Sequence, residues 1–448
     1  MPLIGAVADD LTGATTMGVL LARSKARTAV FFNEEAAEHA NDTQSLDAIL
    51  VSSNSRALLP KEAYEKVKSA TKALQRMGVV YYTKRIDTTM RGGIGVEIDA
   101  MLDQMEEGTI AIVVPAMPQS RRILVGGYSV IDGVALVNTP VAQDVRTPVS
   151  ENYIPRLLQK QTKRQVGLIT LDKVLAGTEA VKEQIKQEQC NGCEVIVVDA
   201  ITLEDVEIIA RACIGLDRNI VSVDPGPFTS KLAYHRGLIQ EESSNIPQGE
   251  VIEMGKTVLI AAGSATPVTQ KQMEVLCKDK RHVSISVDPS FLIEGGDIAL
   301  NEVTRAVAEA SKLLQSNHQP RAILMETALH GDLLNLEEED SKHSYGTGMS
   351  AERINSGLGM IIAKILDQVG RDKIAGIYTT GGDTMVNVCY QLGASCIEVV
   401  DYVIPQTDVG RLVGSYDGLP IVGKGGLTGT DTTALDIVER LFRESTRE

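Results

Sequence analysis

LIGAVADDLTGATTMGVLLA, residues 3–22, changes character twice. The apolar run LIGAVA ends abruptly at two carboxylates, Asp9 and Asp10, and TGATTMGVLLA then spaces its apolar residues as a helix does. A short apolar run that ends in a turn signal and passes into helical periodicity reads as strand, tight loop and helix, the opening of a βαβ unit. Thr12 is expected to cap the helix, and Gly13 permits a tight entry. Two adjacent carboxylates exceed what one cap requires, and buried without partners they would be costly. They read as a hydroxyl acceptor, a general base or a Mg²⁺ ligand, with a plain capping role for one of them as the bland alternative.

The alternation recurs along the chain. DAILVSS, VVYYTKR, TIAIVVPA, QVGLIT, CEVIVVDA and NIVSVDP read as further strands of the first half, with helices such as KEAYEKVKSATKALQRM and GVEIDAMLDQMEE between them. Near residues 236–252 the sequence RGLIQEESSNIPQGEVI becomes polar and aperiodic. Beyond it TVLIAAGS, HVSISVD, RAILMET, IAGIYTTGGD, CIEVVDYVI and LPIVGKGG repeat the pattern. The expected fold is α/β in two domains, 1–243 and 244–448, each a mainly parallel or mixed sheet flanked by helices, with the active site in the cleft between them. A chain of 448 residues is also too long for one comfortable core. In open α/β sheets ligands bind beyond the carboxyl ends of the strands, so chemistry is expected in those loops.

Three loops of the first half stand out. TKRIDTTMRGGIGVE crowds Lys84, Arg85, Asp87, Thr88, Thr89 and Arg91 ahead of a helix from Ile94, and Gly92, Gly93 and Gly95 let backbone N–H groups approach an anion. Arginine grips a carboxylate with two bonds where lysine acts as a point charge. VSSNSRALLP offers Asn54, Ser55 and Arg56 at another strand end. PAMPQSRRILVGGYSVIDGVALVNTPVAQD reads as a loop running into a hairpin that turns at Asp132–Gly133 and could cover a site, with Arg122 and Asp144 as contributors. In the second half Gly263 and Ser264, the run Gly381-Gly382-Asp383-Thr384 ahead of a helix from Met385, and Lys424 among Gly423, Gly425, Gly426 and Gly429 are three glycine-rich strand ends. None matches a P-loop or a dinucleotide fingerprint, yet together they favour a nucleotide site.

Bulk properties narrow the partners. A formal net charge of −15 argues against nucleic acid or anionic membrane, though not against a small anion met by local positive groups. No signal peptide opens the chain and no apolar run approaches the ~20 residues of a membrane span, so a cytoplasmic location is expected. Six cysteines make no disulfide framework, CNGC (190–193) reads as a turn, and the six histidines fall in no metal or triad motif. A homodimer is the expected state of such an enzyme.

The assembled motifs resemble the four-carbon acid sugar kinases, the family of threonate, erythronate and 3-oxo-tetronate kinases, across nearly the whole chain. ADDLTGA resembles the family's ADDxTGA opening, KRIDTTMRGGIG its K-x-x-D-S-T-L-R-G-N-I-G motif, and PQSRRILVGGYSVIDGVAL its flap-like segment; AAGSATPVTQKQ, TTGGDT and KGG…G complete the set. The resemblance implies an N-terminal sugar-acid domain, a C-terminal nucleotide domain, and transfer of the γ-phosphoryl of ATP, with Mg²⁺, to the terminal hydroxyl of a four-carbon sugar acid. D-threonate leads the candidates, with D-erythronate, L-threonate and a 3-oxo-tetronate beside it. Carried over by motif, Asp9, Asp10, Arg56, Lys84, Asp87 and Arg91 line the substrate pocket, and Ser264, Gly381, Gly382, Asp383, Thr384 and Gly426 contact ATP. Asp10 leads as base, then Asp9, with Asp383 the rival as base or Mg²⁺ ligand. Thr88-Thr89 replaces the usual Ser-Thr, and Lys424-Gly425-Gly426-Leu427-Thr428-Gly429 replaces Lys-Ser-Gly-x-Phe-Gly. Asp224 to Phe228, DPGPF, has no assigned role. The alternatives are a kinase for another small hydroxy acid or sugar, or a regulator that binds both ligands without turnover.

Overall fold

Five consecutive buried residues, Ile4–Ala8, form the first strand, and it pairs with a parallel neighbour on each side. A strand covered on both faces has no reason to alternate, which is why it reads as an unbroken apolar run. A computed structural model describes residues 2–40, 43–144, 146–216, 219–243, 245–246, 255–329 and 333–446. It divides into two units, Met1–Ser244 and Asn245–Glu448.

The described residues of the first unit hold β1 (Ile4–Ala8), β2 (Thr28–Phe31), β3 (Ala48–Ser52), β4 (Tyr81–Arg85), β5 (Ile110–Val113), a small sheet of β6 (Arg122–Val125), β7 (Tyr128–Ile131) and β8 (Val134–Ala135), and then β9 (Val166–Ile169), β10 (Val195–Val198) and β11 (Ile220–Asp224). The main strands run β2-β3-β1-β4-β11-β5-β10-β9, all parallel. Helices follow most of them, including Leu11–Arg23 after β1, Pro60–Arg76 after β3 and Ile94–Leu102 after β4. One core of this unit packs Val114, Ile196, Val198, Ile209 and Phe228 together with no exposure. CNGC is a turn as expected: the helix Thr178–Cys190 ends there and Gly192 takes φ 89°.

The second unit orders β12 (Thr257–Ala262), β13 (His282–Ser286), β14 (Ala322–Glu326), β15 (Ile374–Thr380), β16 (Ala394–Ile404), β17 (Thr407–Gly414) and β18 (Pro420–Lys424) as β13-β14-β12-β15-β18-β17-β16. The first five in that order are parallel, and β17 runs antiparallel to both β18 and β16. Tyr378, Val422, Ile437 and Phe442 are among the fully buried residues of its core. Among the described residues no helix is long and apolar enough to cross a membrane.

The structure adds two strands that the sequence reading passed over, β2 and β17. It also makes the expected hairpin a three-stranded meander with a turn at Gly126–Gly127 as well as Asp132–Gly133. All four turn residues have positive φ (59°, 78°, 50° and 81°), the conformation that favours tight two-residue connections matching strand twist. The buried Asp199 accepts the N–H groups of Gly126 (2.6 Å) and Gly127 (2.9 Å) and so ties the first of these turns to the end of β10.

Candidate active site

In the first unit Ala8 lies opposite Ser52 on one side and Arg85 on the other, and Arg85 lies opposite Asp224. The loops after β3, β1, β4 and β11 therefore leave the sheet side by side. The paired aspartates meet two guanidiniums there. Arg56 donates through Nε to Asp9 (2.7 Å) and reaches Asp10 through Nη1 (2.6 Å), while Nη1 of Arg85 stands 3.2 Å from both carboxylates. Asp10 is also the N-cap, accepting the Gly13 N–H at 2.7 Å, and the helix starts at Leu11. Thr12 thus lies inside the first turn and is not the cap: Asp10, with extended backbone, already fills that role. Gly13 is required by a close approach, since a Cβ there would stand 2.6 Å from Nε of Arg85.

The loop after β4 extends the cluster. Asp87 accepts from Arg91 Nε (2.7 Å) and Nη2 (3.3 Å), lies 3.9 Å from Arg56, and takes the hydroxyl of Thr89. Arg91 reaches on to Asp144 at 3.3 Å. Burial pushes the Asp9 carboxyl upward, but Arg56, Arg85 and Lys84 outweigh it and hold Asp9 below the usual carboxylate range. The same contest, with Arg56 and Arg91 opposing burial, leaves Asp87 far below that range. Lys84 lies beneath the cluster with no exposure, its ammonium 2.8 Å from Glu97 and donating to the Arg85 carbonyl. Ser55 also donates to Glu97, at 2.6 Å.

Asn54 turns away, accepting from Ser52 and donating to the Phe32 carbonyl. Arg122 bonds the nearby Ser120 carbonyl. An open cleft of about 580 Å³ adjoins the cluster, with Arg56, Gly92, Gly93, Arg146, Lys160 and Gln161 in its walls. Gln161 brackets the glycine turn, accepting the Gly95 N–H at 2.9 Å and donating to the Gly92 carbonyl at 3.1 Å. DPGPF is a helix entry. Oδ2 of Asp224 accepts the N–H groups of Gly226, Phe228 and Thr229 at 2.8, 2.8 and 3.2 Å, and Oδ1 takes the Thr229 hydroxyl at 2.5 Å.

In the second unit Ala262 lies opposite Thr380, and Thr380 opposite Lys424. The three glycine-rich turns are consequently neighbours at the carboxyl ends of β12, β15 and β18. The helix after β15 opens at Gly382, earlier than the expected Met385, so Gly382, Asp383 and Thr384 form its first turn. No side chain caps that turn, and its first N–H groups have no partner within the helix. Gly381, with φ 101°, donates to the Lys424 carbonyl at 3.0 Å. A Cβ on Gly263 would meet Thr384 and stand 2.6 Å from Asn355, and one on Gly426 would stand 2.7 Å from the Ser264 hydroxyl. The last loop is held from below by Thr266 and Thr269, which donate to the Gly426 carbonyl (2.6 and 3.1 Å), and by Gln272, which donates to Thr428 and Thr430. Lys424 donates to the Gly425 and Thr428 carbonyls at 2.8 and 3.3 Å, and burial lowers its ammonium to about 8. These bare backbone edges fit a polyphosphate.

Asp9, Asp10, Arg56, Asp87 and Arg91 therefore form one cluster with Lys84 beneath it, and Ser264, Gly381 to Thr384 and Gly426 gather at one set of strand ends. The sequence reading placed Arg85 in the anion-binding loop but left Glu97, Asn355 and Gln272 without roles. Glu97 alone had a local signal, a carboxylate among the apolar positions of IGVEIDAML.

Residues 4–232 match a family described as a sugar-binding N-terminal domain, and residues 259–434 one described as a nucleotide-binding C-terminal domain. The chain is 36% identical over 445 residues to a D-erythronate kinase of Heliobacterium modesticaldum, covering 99% of this chain and 98% of that one. It is 27% identical to a D-threonate kinase of Salmonella typhimurium, covering 96% of each. A solved Haemophilus influenzae protein, HI1011, shares the fold with a TM-score of 0.71 at 22% identity over 99% of both chains.

Proposed function

We infer the reaction from kinship and chemistry together: the chain belongs to the four-carbon acid sugar kinases, which join a sugar-binding N-terminal domain to a nucleotide-binding C-terminal one. It is an ATP-dependent phosphotransferase whose acceptor is the terminal hydroxyl of a four-carbon sugar acid. The observation that carries the reading is the pairing of two ligand chemistries in one chain. Carboxylates interleaved with guanidiniums suit a polyhydroxylated acid, and three adjacent glycine turns suit a polyphosphate.

In this reading Arg91 and Arg56 take the substrate carboxylate. Asp87 and Asp9, both held ionised, accept its hydroxyls. Lys84 fixes the floor through Glu97. Asp10 is the lead base, because its side chain is 29% exposed against 4% for Asp9. An ionised carboxylate suffices for a loose phosphoryl-transfer transition state, which asks mainly for alignment and charge neutralisation. Ser264, the first turn at Gly382 to Thr384 and the loop at Gly426 hold the nucleotide phosphates. Mg²⁺ carried on those phosphates neutralises their charge, and such an ion needs only one or two protein carboxylates, a part Asp383 fits at its strand end.

Between the two kinases compared above, the identities of 36% and 27% move D-erythronate ahead of D-threonate among the candidate acceptors. L-threonate and a 3-oxo-tetronate complete the panel. The test is ADP release with Mg²⁺–ATP across that panel against a no-acceptor blank. Turnover with one acid establishes the reaction and names the substrate. Binding of ATP and sugar acid without product replaces the kinase by a ligand-binding regulator.

A further inference from the structure

The charge of the first-unit cluster poses a difficulty for an anionic substrate. Four carboxylates, Asp9, Asp10, Asp87 and Asp144, surround three guanidiniums, Arg56, Arg85 and Arg91, each of which contacts at least one of them. Lys84 and Glu97 cancel beneath. The cluster thus carries one more negative than positive charge, and a sugar acid brings another. That excess is relieved if one carboxylate gives way.

The geometry selects which. Asp9 and Asp87 are buried, and their arginines hold them ionised; removing Asp9 takes a partner from the buried Arg85, and Asp87 holds Arg91 through two nitrogens. Asp10 is fixed by the Gly13 N–H, Arg56 and Arg85 together. Asp144 differs from all three. Among the described residues its one tie to the cluster is the 3.3 Å contact of Oδ2 with Arg91, with side chains 27% and 28% exposed. Its other oxygen belongs to its own loop, accepting from the N–H groups of Arg146 (3.0 Å) and Thr147 (2.8 Å) and from the Thr147 hydroxyl (3.1 Å). The Asp144 side chain can therefore leave Arg91 without breaking a buried pair. Arg146, in the wall of the adjoining cleft, favours the approach of an anion from that side, whereas Lys160 there is paired with Glu151 at 3.2 Å.

We propose that Asp144 is a place-holding carboxylate: it occupies the outer edge of Arg91 until the carboxylate of the substrate takes that edge in exchange. The inference rests on the sugar-acid reading above and adds to it a residue that sets the affinity for the acid group. Exchange of one carboxylate for another keeps the charge of the cluster constant. It also makes the site accept acids and pass over neutral polyols, which cannot replace Asp144.

The test compares wild type with D144N in the full chain. Asparagine is isosteric, and its oxygen can still accept from residues 146 and 147. The KM for the acid should fall by about twofold to fivefold, the upper range of one exposed ion pair. Competitive inhibition by sulfate should strengthen by a similar factor, and calorimetric binding of the neutral polyol erythritol should not change. An unchanged or raised KM in D144N overturns the proposal, as does an equal gain for erythritol, which would mark a loosened loop. D144A, which also removes the loop's acceptor, separates the two effects: exchange expects the same gain in sulfate binding as D144N, and a smaller one counts against it. If wild type turns over no acid of the panel, the kinase reading falls by itself. Calorimetric sulfate binding then decides the exchange: tighter in D144N supports it, equal in both proteins overturns it.

Discussion

Asp10 caps a helix, pairs with two arginines and still keeps an edge toward solvent. Asp10→Asn keeps the Oδ1 acceptor for Gly13 but loses the charge that takes a proton in the proposed mechanism. We expect kcat to fall by about 100-fold or more, within the usual range for a general base, with calorimetric ATP affinity unchanged; turnover at the wild-type rate would exclude Asp10 as base. Lys84 and Glu97 are both at most 1% exposed, so their pair matters to stability. Lys84→Met should cost about 3–5 kcal/mol in urea unfolding because it leaves a buried carboxylate unpaired, and the double variant Lys84→Met/Glu97→Leu should recover much of that loss. Simple additivity of the two single losses would show that the pair is not coupled. At this scale the sequence announces that Asp9 and Asp10 need partners but hides who they are. Arg56 and Arg85 lie 47 and 76 positions from Asp9, and only the parallel register of β3, β1 and β4 brings them together.

Elements were legible where a strand passes directly into a helix, as at β1, and illegible where burial removes the local signal. The four buried residues of β2, TAVF, are too few to show a period. In β17 Asp408 and Gly410 interrupt the apolar run, yet Gly410 sits mid-strand where a Cβ would stand 3.0 Å from the Glu398 carbonyl and meet Ile397. Its glycine serves close packing and not a turn. Gly426 does the same for the loop proposed to hold the nucleotide. Gly426→Ala places a methyl 2.7 Å from the Ser264 hydroxyl and 3.2 Å from Thr266, so the KM for ATP should rise about tenfold while calorimetric binding of the sugar acid stays as it was; unchanged ATP kinetics would remove the loop from the nucleotide site. The DPGPF entry carries its own pH signature. Burial raises Asp224 to about 6 against the hydrogen bonds it accepts, whereas an unfolded aspartate titrates near 3.9. Between those values the folded chain holds a proton that the unfolded chain has lost, so this residue's contribution to stability declines as pH rises from about 4 to 6 and is constant above. Asp224→Asn retains an acceptor for the three N–H groups and can donate to Thr229. The stability difference between variant and wild type should therefore grow by about 2–3 kcal/mol in the variant's favour over that window. A difference that does not vary with pH would mean Asp224 titrates normally.

At the scale of the molecule, composition and periodicity disclosed two α/β units, while the lead given to D-threonate came from the family resemblance and from no residue of the pocket. Stereochemistry is set by where several side chains from separate strands converge, and that convergence has no local signature. What the two units do disclose is a division of labour open to direct measurement. Ligands stabilise what they bind, by about 2.7 kcal/mol at a hundredfold excess over Kd, and hydrogen exchange locates the stabilised amides. D-erythronate alone should slow exchange at residues 9–13, 53–56 and 86–95, where the loops after β1, β3 and β4 meet. A nonhydrolysable ATP analogue with Mg²⁺ should slow it at 263–270, 381–385 and 425–430, beyond β12, β15 and β18. Protection by the acid confined to the second set would reverse the assignment of the units. Protection of one set by both ligands would place acid and nucleotide in a single site, and the reading of two ligand chemistries in one chain would then have to be abandoned.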